Sequence, residues 1–245
     1  MRRILFEWRG RRIWSYPALL YIGLVAGVAA GNIAAHAAGI DAFRVYVATL
    51  ILIGPALLGA RLIHVASHWR LYRRNPRRIW DRTEGGFGMY GGLPVMLLLS
   101  LPLLPALRLP LGAFWDVAMF TILVGMIFAR IGCLLNGCCA GRLSRGWGAV
   151  YLPNHLGVWA TRIPTQCLEA GWAAVLLVTA IVVWGWLSFP GALFLLMTAG
   201  YAAGRLLLES LREPEPGAAG FSIHHAISAV TVVASVAALT LYWPR

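Results

Sequence analysis

The sequence predicts an all-α integral membrane protein of about seven transmembrane helices, with a glycine-rich site between them. Three observations carry that prediction. Hydrophobic residues make up 60% of the 245 and charged residues only 12%, about half the charged share of a soluble domain. The apolar residues run continuously for the ~20 positions that a bilayer helix needs, which excludes the in–out alternation of a transmembrane β-barrel. The polar interruptions are short, the longest at 68–86 and 141–166. The chain therefore reads as one polytopic domain over 1–245 with an arginine-rich N-terminal segment at 1–15.

The expected spans, in order, are 17–38, 43–66, 87–106, 113–135, 167–187, 189–211 and 222–242. The first follows the arginine-rich segment directly and has no small-residue cleavage site, so it is expected to stay as a helix and not to leave as a signal peptide. The third opens on two Gly-Gly pairs, Gly85-Gly86 and Gly91-Gly92, which weaken a helix and permit close backbone approach. The fifth follows Pro164-Thr165, and Thr165 is expected to N-cap it. The sixth ends before Pro214. The last begins at His224 and His225, which read as interfacial histidines and second-rank candidates for a base. No repeat of 20–50 residues is present.

The net charge is +12, and all 21 basic residues are arginine. With no soluble domain to carry nucleic-acid binding, the natural partner of juxtamembrane arginine is anionic phospholipid. Fifteen arginines fall on one side of the expected topology. Arg44, Arg108 and Arg245 fall on the other, and Arg61, Arg130 and Arg205 lie within spans. The positive-inside rule then places the N-terminus, and the mouth of the site, in the cytoplasm. The cysteines are Cys133, Cys138, Cys139 and Cys167. A C-x4-C-C spacing without a second pair is not a zinc pattern, so neither metal nor cofactor is expected. Small, polarizable packing residues are the simpler account of them, and a reactive thiol the alternative.

Four segments carry the candidate chemistry. A guanidinium at membrane depth costs at least ~2.5–3.5 kcal/mol and so has a partner or a task. Arg130 stands in Arg130-Ile131-Gly132-Cys133-Leu134-Leu135-Asn136-Gly137-Cys138-Cys139-Ala140-Gly141. There the charge, the Asn136 amide and exposed glycine backbone suit a phosphate or glycerol headgroup; snorkelling to the interface is the structural alternative. Arg205 lies in Tyr201-Ala202-Ala203-Gly204-Arg205, with Glu209 at i+4, a spacing that equally fits a structural ion pair. Glu84 and Tyr90 flank the glycines of the third span. Glu169 is carried into the apolar fifth span from Pro164-Thr165-Gln166-Cys167-Leu168-Glu169.

These segments, in this order, resemble the prolipoprotein diacylglyceryl transferases of bacteria. That family has seven transmembrane helices and moves the diacylglyceryl group of phosphatidylglycerol onto a lipoprotein cysteine, forming a thioether and releasing glycerol phosphate. The family's arginine–glycine–asparagine signature resembles Arg130, Gly132, Cys133, Asn136, Gly137, Cys138 and Gly141. Its His-Gly-Gly-Leu resembles Tyr90-Gly91-Gly92-Leu93. Its late Tyr…Arg…Glu…Arg resembles Tyr201, Arg205, Glu209 and Arg212, and its Pro-(Ser/Thr)-Gln element resembles Pro164-Thr165-Gln166 with Glu169. Tyr16 and Arg61 resemble early tyrosine and arginine positions. Tyr90, Cys133 and Cys138 stand where the family carries histidine, asparagine and glutamate.

The resemblance implies a transferase of a bacterial inner membrane, taking phosphatidylglycerol and a prolipoprotein. Arg130 and Arg205 would hold the phosphate, Glu209 would orient Arg205, and Tyr90 would place the acceptor. Tyr16, Arg61, Glu84, Gly91, Gly92, Gly132, Asn136, Cys138, Gly141, Gln166, Glu169, Tyr201 and Arg212 would line the substrates. The resemblance also implies an outward N-terminus, opposite to the charge count. A non-catalytic lipid-binding relative and a transferase with a different acceptor are the alternatives.

Overall fold

The computed structural model describes residues 4–67, 69–73, 89–154, 157–213 and 223–242. Among them six helices are long and apolar enough to cross a membrane: Ser15–Ala37, Ala42–Ile63, Leu111–Asn136, Thr165–Trp186, Ala192–Glu209 and His225–Tyr242. A shorter apolar helix occupies Gly91–Ala106. The protein is a multi-pass, all-α membrane protein. The helices are α1 (Ser15–Ala37), α2 (Ala42–Ser67), the single turn α3 (Trp69–Tyr72), α4 (Met89–Ala106), α5 (Leu111–Asn136), α6 (Thr165–Val183), α7 (Ala192–Glu209) and α8 (Ile223–Tyr242). The chain divides into two compact units, Met1–Ala34 with Trp115–Arg245, and Ala35–Phe114.

The first unit begins with a feature the sequence did not announce. Strands β1 (Ile4–Trp8) and β2 (Arg11–Trp14) pair antiparallel across Arg9 and Gly10. Both turn residues have positive φ, 49° and 74°, the turn geometry whose twist matches that of the strands. Glu7 and Arg12 face each other across the ladder at 2.9 Å.

Lipid gives apolar helices no hydrophobic reason to associate, so they rely on close contact at small residues. In α1 those are Gly23, Gly27 and Gly31, one per turn. A methyl group on Gly23 would lie 2.6 Å from Phe128 Cβ, and one on Gly27 2.6 Å from the Thr121 carbonyl; on Gly31 it would overlap the Thr121 hydroxyl. The α1–α5 contact thus depends on absent side chains. In α7, Gly204 makes room for Trp172 of α6 and Gly200 for Leu176, and the Trp172 indole N–H donates to the Gly200 carbonyl at 3.1 Å. Asp116, the one acidic residue of α5, accepts from the backbone N–H groups of Gly191 at 2.7 Å and Phe194 at 2.9 Å. It thereby caps the start of α7, where the helix dipole favours negative charge. A second hairpin, β3 (Val150–Pro153) and β4 (Trp159–Arg162), lies in the α5–α6 connection.

In the second unit α2 packs on α4. A methyl group on Gly91 would lie 2.5 Å from the Gly59 carbonyl, and one on Gly92 would lie 3.0 Å from that of Ala56. The Gly91-Gly92 pair, expected to weaken the helix and to admit a ligand or another helix, is helical, and its missing side chains admit the backbone of α2. Pro94, Pro102 and Pro105 all lie inside α4.

Candidate functional site

The site of the first unit is built on the loop that leaves α5. Gly137 and Cys139 have φ of 78° and 59°, so the chain curls tightly there. The first turn of α6 grips the curl. The Thr165 hydroxyl donates to the Cys139 carbonyl at 2.9 Å, and the Gln166 amide to that of Cys138 at 2.7 Å. This corrects the expectation for Thr165. Pro164 holds the cap position without a side-chain cap, and Thr165 is the first helical residue. Its hydroxyl serves the neighbouring loop, a non-local acceptor that the local capping rule does not see.

Residues 140–142 are then stitched to the segment after α7. Glu213 N–H donates to the Ala140 carbonyl at 3.0 Å, Arg142 N–H to that of Leu211 at 2.9 Å, and Ile163 N–H to that of Arg142 at 3.1 Å. Gly141 lies where any Cβ would strike the Ile163 carbonyl. Arg162, almost fully buried, pairs with Glu213 at 2.8 Å and donates to the Gly141 carbonyl at 3.4 Å. This sewing fixes Arg212 beside α6.

Three guanidiniums converge on Glu169, which is 3% exposed. Arg130 Nε stands 2.5 Å from its Oε2, and Arg205 Nη1 2.5 Å from its Oε1. Arg212 reaches Oε1 with Nη2 at 3.1 Å. Arg205 also pairs with Glu209 at 2.7 Å, as the i,i+4 spacing foretold, and Arg212 lies 3.8 Å from the same oxygen. Buried charges are tolerated when paired and hydrogen-bonded. Five charged groups from α5, α6, α7 and the segment after α7 satisfy that condition together. Three positive and two negative charges leave one positive charge over.

Other expected site residues gather nearby. Tyr16 lies against Gly132, where a Cβ would come within 3.2 Å of the ring. Tyr201 is buried one turn before Arg205. Gln166 is 2% exposed, and its Oε1 has no hydrogen-bond partner among the described residues. Asn136 bonds to the Cys138 thiol. The thiols of Cys133 and Cys138 hold that of Cys139 well below the ordinary thiol range; burial opposes this, and Arg212 and Arg130 add to it.

The remaining expected residues belong to the second unit. Arg61 lies over the ring of Tyr72, 5.6 Å from its centre. Gly91 and Gly92 serve the α2–α4 contact. Tyr90 is in α4, its side chain lying, like Glu84, outside the described residues. The Arg162–Glu213 pair, Cys139 and Asp116 were not foreseen. Asp116 had a visible signal, as the single acidic residue in an apolar run.

Fold and cluster define a polytopic membrane protein that keeps arginines at membrane depth by focusing them on buried carboxylates. The model of a family described as prolipoprotein diacylglyceryl transferase matches residues 3–241, and the chain belongs to that family. It is 29% identical over 203 residues to the phosphatidylglycerol–prolipoprotein diacylglyceryl transferase of Dehalococcoides mccartyi, covering 81% of this chain and 77% of that one. The Mycobacterium leprae protein of the same name is 28% identical over 226 residues, covering 82% and 68%. That of Rhizobium meliloti is 31% identical over 170 residues, covering 66% and 59%.

Proposed function

We propose that this protein, in a bacterial inner membrane, transfers the diacylglyceryl group of phosphatidylglycerol to a prolipoprotein cysteine thiol and releases glycerol phosphate. Its relatives carry that name. The observation that carries the site assignment is the surplus positive charge of the Arg130–Arg205–Arg212–Glu169–Glu209 cluster. Within these five groups one positive charge is left over, which matches the single negative charge of a phosphodiester.

Arg130 and Arg205 hold the phosphate and stabilise the charge that grows on it as the diacylglyceryl C–O bond breaks. Charge placed in advance is usually the largest catalytic contribution. Glu169 and Glu209 aim the guanidiniums, and Arg212 closes the cluster. Gln166 Oε1, buried and without a partner among the described residues, accepts a headgroup glycerol hydroxyl, the kind of explanation such an atom calls for. Tyr16, Gly132, Asn136, Cys138, Gly141 and Tyr201 line the headgroup. Tyr90 places the acceptor, and Arg61, Glu84, Gly91 and Gly92 bind substrate, as the family resemblance implies.

The test supplies purified protein with phosphatidylglycerol labelled in its headgroup glycerol and a single-cysteine lipobox peptide. Labelled glycerol phosphate and a peptide heavier by one diacylglyceryl group are expected. Arg130→Ala and Arg205→Ala should each lower the rate at least ~10²-fold, as loss of a single anion-stabilising donor does elsewhere. Lysine should rescue poorly, because it lacks the planar fork. An absence of both products from the wild-type protein would overturn the assignment.

A further inference from the structure

Three cysteines stand together beside the arginine cluster; Cys138 borders the headgroup, but none of the three holds the phosphate charge. Cys133 is in the last turn of α5, Cys138 and Cys139 in the loop that follows, and their sulfurs all lie within 4.8 Å of one another. All three are free thiols. Adjacent side chains on an extended chain point to opposite faces, so bringing Cys138 and Cys139 onto one centre needs a special backbone. The chain provides it with positive φ at Gly137 and at Cys139, where a non-glycine residue is strained. Thr165 and Gln166 hold the two loop carbonyls in that conformation. Strain that the surrounding structure actively maintains motivates a functional hypothesis.

We propose that Cys133, Cys138 and Cys139 form a three-thiolate site for a thiophilic d10 divalent cation of the zinc class, and that the cation's fourth position takes the acceptor thiolate. This rests on the transferase reading above. Zinc–sulfur bonds of about 2.3 Å in a tetrahedron place sulfurs about 3.8 Å apart, so movements of about 1 Å close these thiols around one ion. Thiolates select soft metals. Three protein ligands with an open fourth position distinguish a catalytic zinc site from a closed structural one. Cys133 is buried and the other two are half-buried. Three thiolates and a divalent cation carry one negative charge, beside Arg130 and Arg212.

The site would supply what Tyr90 does not. A phenol, with a reference pKa near ~10, is a poor base for a thiol at neutral pH, whereas a metal-coordinated thiol is deprotonated outright. On coordination the acceptor S–H proton passes to water. The sulfur then attacks the diacylglyceryl methylene as its S–C bond forms. The C–O bond to phosphate breaks, and glycerol phosphate leaves with the bonding pair, held by Arg130 and Arg205. No electron is transferred to or from the metal.

The test titrates reduced, chelator-treated full-length protein in detergent micelles with Co2+ alone, then with competing Zn2+. One Co2+ per chain is expected, with thiolate charge-transfer absorption that Zn2+ abolishes. Cys138→Ser and Cys139→Ser should each weaken uptake at least tenfold, while Cys167→Ser should leave it unchanged. A single-cysteine lipobox peptide should shift the cobalt d–d bands, and its serine counterpart should not. The proposal is overturned by absence of stoichiometric uptake, by uptake indifferent to Cys138→Ser and Cys139→Ser, or by a bound ion blind to the peptide thiol. Headgroup release is measured in parallel. Undiminished release from metal-free protein would overturn the metal site and leave the transferase. Thiol-responsive binding without release in any state would leave the site and overturn the transferase.

Discussion

Replacing Glu169 with glutamine keeps the shape of the hub and one acceptor oxygen, but it removes the charge on which three arginines converge. The surplus of the cluster rises from one positive charge to two, and an amide NH2 now faces guanidinium groups. Each guanidinium–carboxylate pair at about 4 Å is worth about 4 kcal/mol at an effective dielectric constant near 20. The arginines also repel one another, so only part of the sum over Arg130, Arg205 and Arg212 is net. Breaking a buried pair from one side typically costs about 3–5 kcal/mol. For a chain of this length that corresponds to a fall in Tm of roughly 6–20 °C. The 11 tryptophans report it by fluorescence in detergent micelles. Turnover of phosphatidylglycerol should fall at least ~10²-fold, about 2.7 kcal/mol of barrier, because all three guanidiniums lose a shared anchor. Adding Arg130→Gln to Glu169→Gln should recover part of the lost Tm, since removing both partners costs less than stranding one. A Glu169→Gln protein within ~2 °C of wild type and turning over normally would refute the hub.

Two further outcomes test the acceptor side. Tyr90→His should be tolerated and should raise transfer to a thiol near neutral pH, since imidazole titrates there and phenol does not; Tyr90→Phe retaining full activity would reduce the residue to packing. A topology reporter fused after Arg245 should signal a cytoplasmic C-terminus, because a lipobox is presented on the outer side. An external signal would direct the search to a cytoplasm-facing acceptor.

The spans were legible because each is an uninterrupted apolar run, and the bilayer dictates their length. The two hairpins were not, since strands of four or five residues in arginine- or aromatic-rich segments leave no clear period to count. Arg130 and the Arg205–Glu209 pair were visible as charges where charge is costly. Glu169 was visible as a carboxylate in an apolar helix, but its three partners were not. Arg130 and Arg212 lie 39 and 43 positions away, and only the α5–α6 loop and its stitching to 211–213 bring them together. Gly91 and Gly92 were legible only as an alternative. An absent side chain admits a ligand or a neighbouring helix equally well, and here the neighbour is α2.

The same geometry bears on the opposite orientations that counting arginines and recognising the family imply. The positive-inside rule treats loop arginines as solvated charges that resist translocation. Arg162 and Arg212 are not of that kind. Arg162 is nearly fully buried against Glu213, and Arg212 is bound into the Glu169 cluster. Arg12 is matched by Glu7 across the first hairpin. Arginines with internal carboxylate partners present little net charge, so they weigh less in the topology than their number implies. A protein that grips an anionic headgroup must gather arginine at the face where the headgroup enters, whichever side of the membrane that is. Discounting Arg12, Arg162 and Arg212 still leaves twelve arginines on that side against three, and Arg44 of the three is itself paired with Asp41, so pairing narrows the bias without reversing it, and the reporter after Arg245 decides between the two orientations.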